Sequence, residues 1–497
     1  MTDRTKLGIV VLIAASSLGI FGDLLLRARP WGLNLFLWIA ALVASVVLIV
    51  RWRRVALNGS GRWLVVPVLA FAASLTWRDS PVLNRLSLFA LSLSLSLALL
   101  RAQAGQLLLA GVMEYHLSVL IAAFNAVAGA VRLVVEDIQW KDIPHDGWAK
   151  HAGAVLRGLL ISLPLLLIFG GLLATADAVY SNLLSRWLDW DLSAFVSHAL
   201  LILFITWLVS GFLRGMLLGK EIAITAGARP RGMYIGITEI GIALGLLDLL
   251  FLSFVAVQFR YFFGGAARVQ AIPGLTYAEY ARSGFFELVS VAALVLPLLL
   301  FAHWLLPKEK PREERIFRVL AGVMIVLLAV IMVSALRRMS IYQREYGLTE
   351  LRVYTTAFMG WLALVFGWFS LTVLRGMRER FAFGAVATGF SIIIGLMVVN
   401  PDRLIVVRNV QHASRGRQFD SNYISLLSAD AVPEVIDSLP QVDQGQRCVL
   451  AGQLLRRLEA ESGLGWRQWN WSRSRANRAV KEHESSLRTI TSTCPRD

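Results

Sequence analysis

Apolar residues in this chain gather into runs near twenty residues long, separated by short polar stretches rich in Arg, Lys, Gly and Pro. A hydrocarbon layer about 30 Å thick needs about 20 helical residues to cross it. In that layer only helices and closed barrels satisfy their own backbone groups. A barrel strand alternates apolar and polar positions over about ten residues, whereas stretches such as Ile39–Val50 are apolar on every face. The pattern therefore predicts transmembrane helices over 7–26, 31–50, 63–77, 82–100, 152–175, 198–218, 235–259, 285–306, 316–336, 353–374 and 381–399, about eleven in all. The third is short and contains Pro67. The stretch 107–135 is apolar enough to span but carries Glu114, His116, Asn125 and Arg132. Because unpaired charge at bilayer depth is costly, an interfacial or buried helix is expected there.

Beyond Asn400 the pattern changes. Tyr423, Ile424, Leu426 and Leu427, then Val432, Val435, Ile436 and Leu439, then Val449, Leu450, Leu454, Leu455 and Leu458 recur at helical spacing in shorter amphipathic segments. The expected fold is all-α: a polytopic transmembrane bundle over 1–400 and a small helical extramembrane tail over 401–497. The run Trp466-Arg-Gln-Trp-Asn-Trp-Ser-Arg-Ser-Arg475 fits two arrangements, one lying on the membrane surface, the other packed within a helical bundle.

Composition agrees with the pattern. Of 497 residues, 57% are hydrophobic and 16% charged, against roughly a quarter charged in soluble chains. The formal net charge of +16 follows from Lys and Arg flanking cytoplasmic ends of spans, so no nucleic-acid partner is expected. With eleven spans and a cytoplasmic N-terminus, the inside segments before the tail carry 22 Lys and Arg and the outside segments 12. Counting 107–135 as a span inverts everything after it and moves the basic loop Lys308–Arg318 outside. The tail is accordingly expected outside the cytoplasm, with 7–26 an uncleaved first span. Both cysteines, Cys448 and Cys494, lie in the tail; a disulfide in an oxidising compartment and two independent thiols both fit.

Candidate chemistry is sparse. In the seventh span Gly241, Gly245 and Asp248 fall on one helical face, where small residues admit a neighbouring helix. Asp248 falls near mid-membrane, where a carboxyl is either a relay or a packing determinant. Glu239 is a second candidate, on the opposite face near the cytoplasmic surface. The seven histidines form no ligand-spaced pair, and no Walker loop, Gly-x-Gly-x-x-Gly or Gly-x-Ser-x-Gly occurs. No metal, cofactor or catalytic residue is expected.

The segment between the seventh and eighth spans reads Gln258-Phe-Arg260-Tyr-Phe-Phe-Gly-Gly265, then Thr276-Tyr-Ala-Glu-Tyr280-Ala-Arg282-Ser-Gly-Phe-Phe-Glu287-Leu288. With Tyr346-Gly-Leu-Thr-Glu-Leu-Arg-Val-Tyr354, Asn400-Pro-Asp402 and Leu427-Ser-Ala-Asp-Ala-Val-Pro433, it resembles a bacterial multi-pass membrane family catalogued as domain of unknown function four-one-seven-three. The resemblance runs from about Leu100 through the tail. It implies a protein of the bacterial cytoplasmic membrane and marks Gln258, Arg260, Tyr280, Arg282 and Glu287 as a candidate loop, without supplying an activity.

Three readings follow. One is transport of a small solute, ion or lipid through the bundle, with Asp248 as a relay. Another is a non-catalytic scaffold or signalling subunit that docks a membrane or periplasmic protein through its tail and basic loops. A weaker third is an enzyme using Glu279, Arg282 and Glu287. Beyond such partners, only the lipid bilayer is expected.

Overall fold

The computed structural model describes residues 1–53, 63–104, 112–142, 162, 169, 173, 176–177, 192–219, 236–262, 285–306, 311–417 and 419–494. Seventeen α-helices occur among them: α1 Asp3–Leu26, α2 Leu33–Arg53, α3 Val65–Trp77, α4 Pro81–Ala104, α5 Val112–Arg132, α6 Leu192–Leu218, α7 Ile237–Phe262, α8 Phe285–Leu305, α9 Pro311–Tyr346, α10 Glu350–Thr372, α11 Phe381–Val399, α12 Pro401–Ala413, α13 Ser421–Ser425, α14 Val432–Ser438, α15 Gln444–Glu461, α16 Trp471–Glu482 and α17 Glu484–Ser492. The protein is a polytopic helical bundle. Ten helices among the described residues are long and apolar enough to cross a membrane; α3, with 13 residues, is a shorter apolar helix.

The expected span 152–175 lies almost wholly outside the described residues. For 107–135 the structure shows a helix and leaves both the interfacial and the spanning placement open. There α5 runs into a π-helical turn, Leu133–Asp137, and 119–137 is long and apolar enough to span. Of the polar residues that argued against a span, Glu114 and His116 precede 119–137, Asn125 lies within it and is buried, and Arg132 falls in the last turn of α5.

The chain divides into two compact units. The first comprises 1–65, 95–105 and 118–222. In it α1 and α6 run antiparallel along their length. Buried positions on α1 recur every three or four residues (Gly8, Val11, Ala15, Leu18, Gly22, Leu25), a seam that brings helices together through small residues. A Cβ on Gly22 would lie 2.8 Å from Ile205 of α6. At one end Arg27 donates to Ser197 at 3.0 Å. At the other, Asp137 is buried and takes both neighbouring cations: Arg4 at 2.6 Å and Arg214 at 2.7 Å. Where α5 crosses α6, a Cβ on Gly129 would lie 2.9 Å from the backbone of Gly211.

The second unit comprises 66–94, 106–117 and 223–497. Its membrane core is built by α7 to α10 around residues such as Phe285, Phe317, Met324 and Phe369. The two tryptophans Trp361 and Trp368 of α10 donate to Ala385 and Arg380 carbonyls of the α11 segment, both at 3.2 Å. At 36 residues, α9 is about 54 Å long and outruns a bilayer core. Its surplus, Arg337–Tyr346, reaches the tail, where Glu345 pairs with Arg417 and the Arg344 carbonyl meets His412 at 2.7 Å.

The tail has a core of its own, centred on Ile405, Val406, Ile424, Leu450, Val480 and Leu487. Cys448 of α15 and Cys494, just beyond α17, form a disulfide across 46 residues of sequence. Most of the amphipathic stripe read in the sequence is inside, but Leu426 and Val449 are exposed.

Candidate functional site

Along α7 a stripe formed by Ile240, Leu244, Asp248, Val255 and Gln258 is buried, while Leu246, Leu249 and Leu250 on the other side are exposed. Asp248 lies about 17 Å from the start of α7 at 1.5 Å per residue, within the apolar span Ile237–Gln258. It is 7% exposed, and neither carboxylate oxygen has a hydrogen-bond partner among the described residues. An ionised carboxylate without a partner in a low-dielectric interior is expensive, so this side chain needs a proton or a cation. The small-residue face expected beside it is only loosely met by the described residues. Among the described residues Gly245 has no neighbour within 4 Å of a would-be Cβ, and Gly241 meets only Leu320 at 3.9 Å. Among the described residues, then, the space beside Gly245, one turn from Asp248, is unfilled.

The other sequence-derived candidates separate. Glu239 is exposed in the first turn of α7, where a carboxylate complements the helix dipole; it is not a buried group. Gln258 is buried and accepts a hydrogen bond from the Ser334 hydroxyl of α9. Glu287 is exposed in the first turn of α8. Arg260 lies in the last turn of α7, while Tyr280 and Arg282, like Glu279, fall outside the described residues.

A second polar centre was not read from the sequence: Asp430, buried where the tail meets the ends of the spans. One of its oxygens accepts the backbone N–H groups of Asp79 and Ser80 at 2.7 and 2.8 Å. The other accepts Arg78 at 3.3 Å and the Ser472 hydroxyl. Arg78 also donates to the Met397 carbonyl at 2.7 Å, and Asn400 to the Asp430 carbonyl at 3.1 Å. Four segments far apart in sequence, 78–80, 397–400, 430 and 472, thereby meet around Asp430. Asp402, 0% exposed, takes the Ser428 hydroxyl and N–H on one oxygen and has no partner on the other. Burial raises its pKa from 3.8 to about 6, against the Ser428 hydrogen bond, with help from the neighbouring Glu350 and Asp430 charges. Burial also pushes Asp79 up, opposed chiefly by Arg473. No group of three or more His, Cys, Asp or Glu suited to a metal occurs among the described residues.

The recurrent motifs near the tail now have structural roles. Gly347 adopts φ 70°, and a Cβ there would run into the Asn409 side chain. Asn409 in turn brackets Leu348, accepting its N–H at 2.6 Å and donating to its carbonyl at 2.9 Å. Asn400, at φ 56°, caps α12 by accepting the Arg403 N–H at 3.1 Å. The Tyr346–Tyr354, Asn400–Asp402 and Leu427–Pro433 segments thus dock the tail onto the ends of the spans. The local cue was present in Asn-Pro-Asp and Ser-Ala-Asp, but the partners at 78–80 and 472 were beyond any local pattern.

No curated protein and no solved structure matches this chain. A family model described as Domain of unknown function (DUF4153) matches residues 65–438. The match begins earlier than the resemblance from Leu100 suggested and stops at Ser438, and the family number is four-one-five-three rather than four-one-seven-three. Its reach over three-quarters of the chain, including α3 to α14, establishes that the chain belongs to the DUF4153 family.

Proposed function

We propose that this integral membrane protein moves a proton or small cation through its helical bundle, with Asp248 as the group that binds and releases it. The observation that carries the reading is a buried mid-span carboxyl with two oxygens unpartnered among the described residues, one turn from the unfilled space at Gly245. Intramembrane carboxyls face bundle interiors and mark ion pathways. In each cycle the carboxyl takes up a proton or cation from one side and gives it up to the other. No covalent step and no cofactor is needed.

Reconstitution in vesicles under an imposed pH or cation gradient tests it. D248N preserves shape without the exchangeable charge. It is expected to reach wild-type abundance and abolish the flux, measured with a lumenal dye. Normal flux through D248N sinks the reading. Equal loss of abundance in D248N and D248A, with flux per molecule unchanged, assigns Asp248 to packing instead.

The scaffold reading is favoured by a different observation, the disulfide-closed tail with its own core. In that reading the tail presents a docking surface for a membrane or periplasmic protein. Counted with eleven spans, the bias of Lys and Arg toward one set of loops, together with the tail's disulfide, supports a cytoplasmic N-terminus and an extracytoplasmic tail in a bacterial cytoplasmic membrane.

A further inference from the structure

The tail's own core leaves three tryptophans uncovered: Trp466, Trp469 and Trp471 are 62%, 42% and 52% exposed. Their depth relative to the bilayer follows from their neighbours. Asn470, between two of them, donates to the Leu75 and Arg78 carbonyls, each at 2.9 Å, and the Ser472 hydroxyl to the Trp77 carbonyl at 3.0 Å. Those carbonyls belong to the end of the apolar helix α3 and the turn into α4. The same turn is level with the last residues of the α11 span, because Arg78 bonds the Met397 carbonyl. Val398 and Val399 there are exposed and apolar, as lipid-facing residues are. The 469–472 segment is therefore hydrogen-bonded to the end of α3 and the turn into α4, and Arg78 of that turn reaches the end of α11, at the level where hydrocarbon gives way to headgroups.

Charge follows the same surface. Trp471, Arg475 and Arg478 stand at i, i+4 and i+7 on the exposed face of α16, while Ala476 and Val480 on its other face enter the tail core. Trp77 is also exposed, with the Arg78 guanidinium over its ring at 4.5 Å. Indole rings favour the membrane interface, and Arg beside them attracts anionic headgroups.

We propose that the Trp466–Trp471 edge and the Arg475/Arg478 face of α16 form a lipid-binding surface, which seats the tail on the membrane and selects anionic phospholipid headgroups. The tail is then a lid on the interface rather than a domain free in the aqueous phase. This proposal stands whether or not Asp248 carries an ion.

The test uses the full chain in nanodiscs of phosphatidylcholine with or without phosphatidylglycerol. Cys448 and Cys494 are bridged, so a thiol introduced by W471C accepts an environment-sensitive fluorophore selectively; R475C provides a second site should W471C fold poorly. The expected result is blue-shifted emission, quenched by lipid brominated near the headgroup and shielded from aqueous iodide. The R475Q/R478Q pair should weaken the phosphatidylglycerol preference, by about fivefold per arginine. Water-like emission, open to iodide and indifferent to bromolipid, overturns the interfacial seat. Quenching that is the same with and without phosphatidylglycerol overturns the headgroup selection.

Discussion

Asp402 and Asp430 stand two hydrogen bonds apart through Ser428, yet their surroundings treat charge differently. Asp430 has the Arg78 guanidinium and two backbone N–H groups, which stabilise a carboxylate. Asp402 has only Ser428 and one bare oxygen. Its pKa is higher folded, about 6, than the 3.8 of an unperturbed Asp, so between those values the folded state binds more protons. Stability is then fullest below about pH 4, falls as pH rises through about 6, and is flat above. Two pKa units and a fraction correspond to about 3 kcal/mol. Thermal unfolding in detergent from pH 4 to 8 should show this slope, and D402N should lessen it, the remainder coming from Asp79, Glu350 and Glu461, whose burial also raises them; an unchanged slope in D402N shows that Asp402 does not contribute. D430A leaves the Arg78 guanidinium without its carboxylate and the Asp79 and Ser80 N–H groups without an acceptor, and should cost about 3–5 kcal/mol, read as a lower melting temperature and faster proteolysis of the tail.

At the scale of elements, close approaches and the cross-link do what periodicity alone does not show. Gly211 of α6 lies so near Asn125 and Ala126 of α5 that any Cβ must displace backbone. G211L should therefore destabilise the first unit by several kcal/mol, whereas G245A, with open space, should be neutral; similar melting temperatures for the two would contradict this packing. The disulfide closes a loop of 46 residues, for which chain entropy gives about 4 kcal/mol at most. C448S, or a reductant, should loosen α15 from α17 and expose the tail to protease while the spanning helices keep their protection.

For the molecule as a whole, the second unit makes a topological statement independent of charge counting. The 78–80 turn, the 346–349 turn and the α11–α12 junction all meet the tail. Along α9 the 311 end lies about 50 Å from the 346 end. Fusions of alkaline phosphatase or fluorescent protein at 79, 348 and 414 should report one side, and a fusion at 310 the other. A mixed report among the first three is incompatible with the docked tail. The same series shows which side faces the cytoplasm, and so tests the placement outside that the basic loops and the disulfide support.

The all-helical, many-span character was legible because every apolar run long enough to cross a bilayer must satisfy its own backbone, and that requirement leaves its mark in local hydropathy. Asp248 was legible for a similar reason, as a charged type where the solvent penalises charge. The sequence does not show how charge at the end of 119–137 is met, because Arg4 and Arg214, which pair with Asp137, lie 133 and 77 positions away. Asp430 was invisible as a centre, since its partners are up to 352 positions away. Glu239, Arg78 and Asp402 are all charged residues near span ends in the sequence, and only packing separates the exposed carboxylate from the bonded cation and the half-satisfied acid. Hydropathy is a property each residue carries with it; a hydrogen-bond partner is a property of where the chain has placed something else.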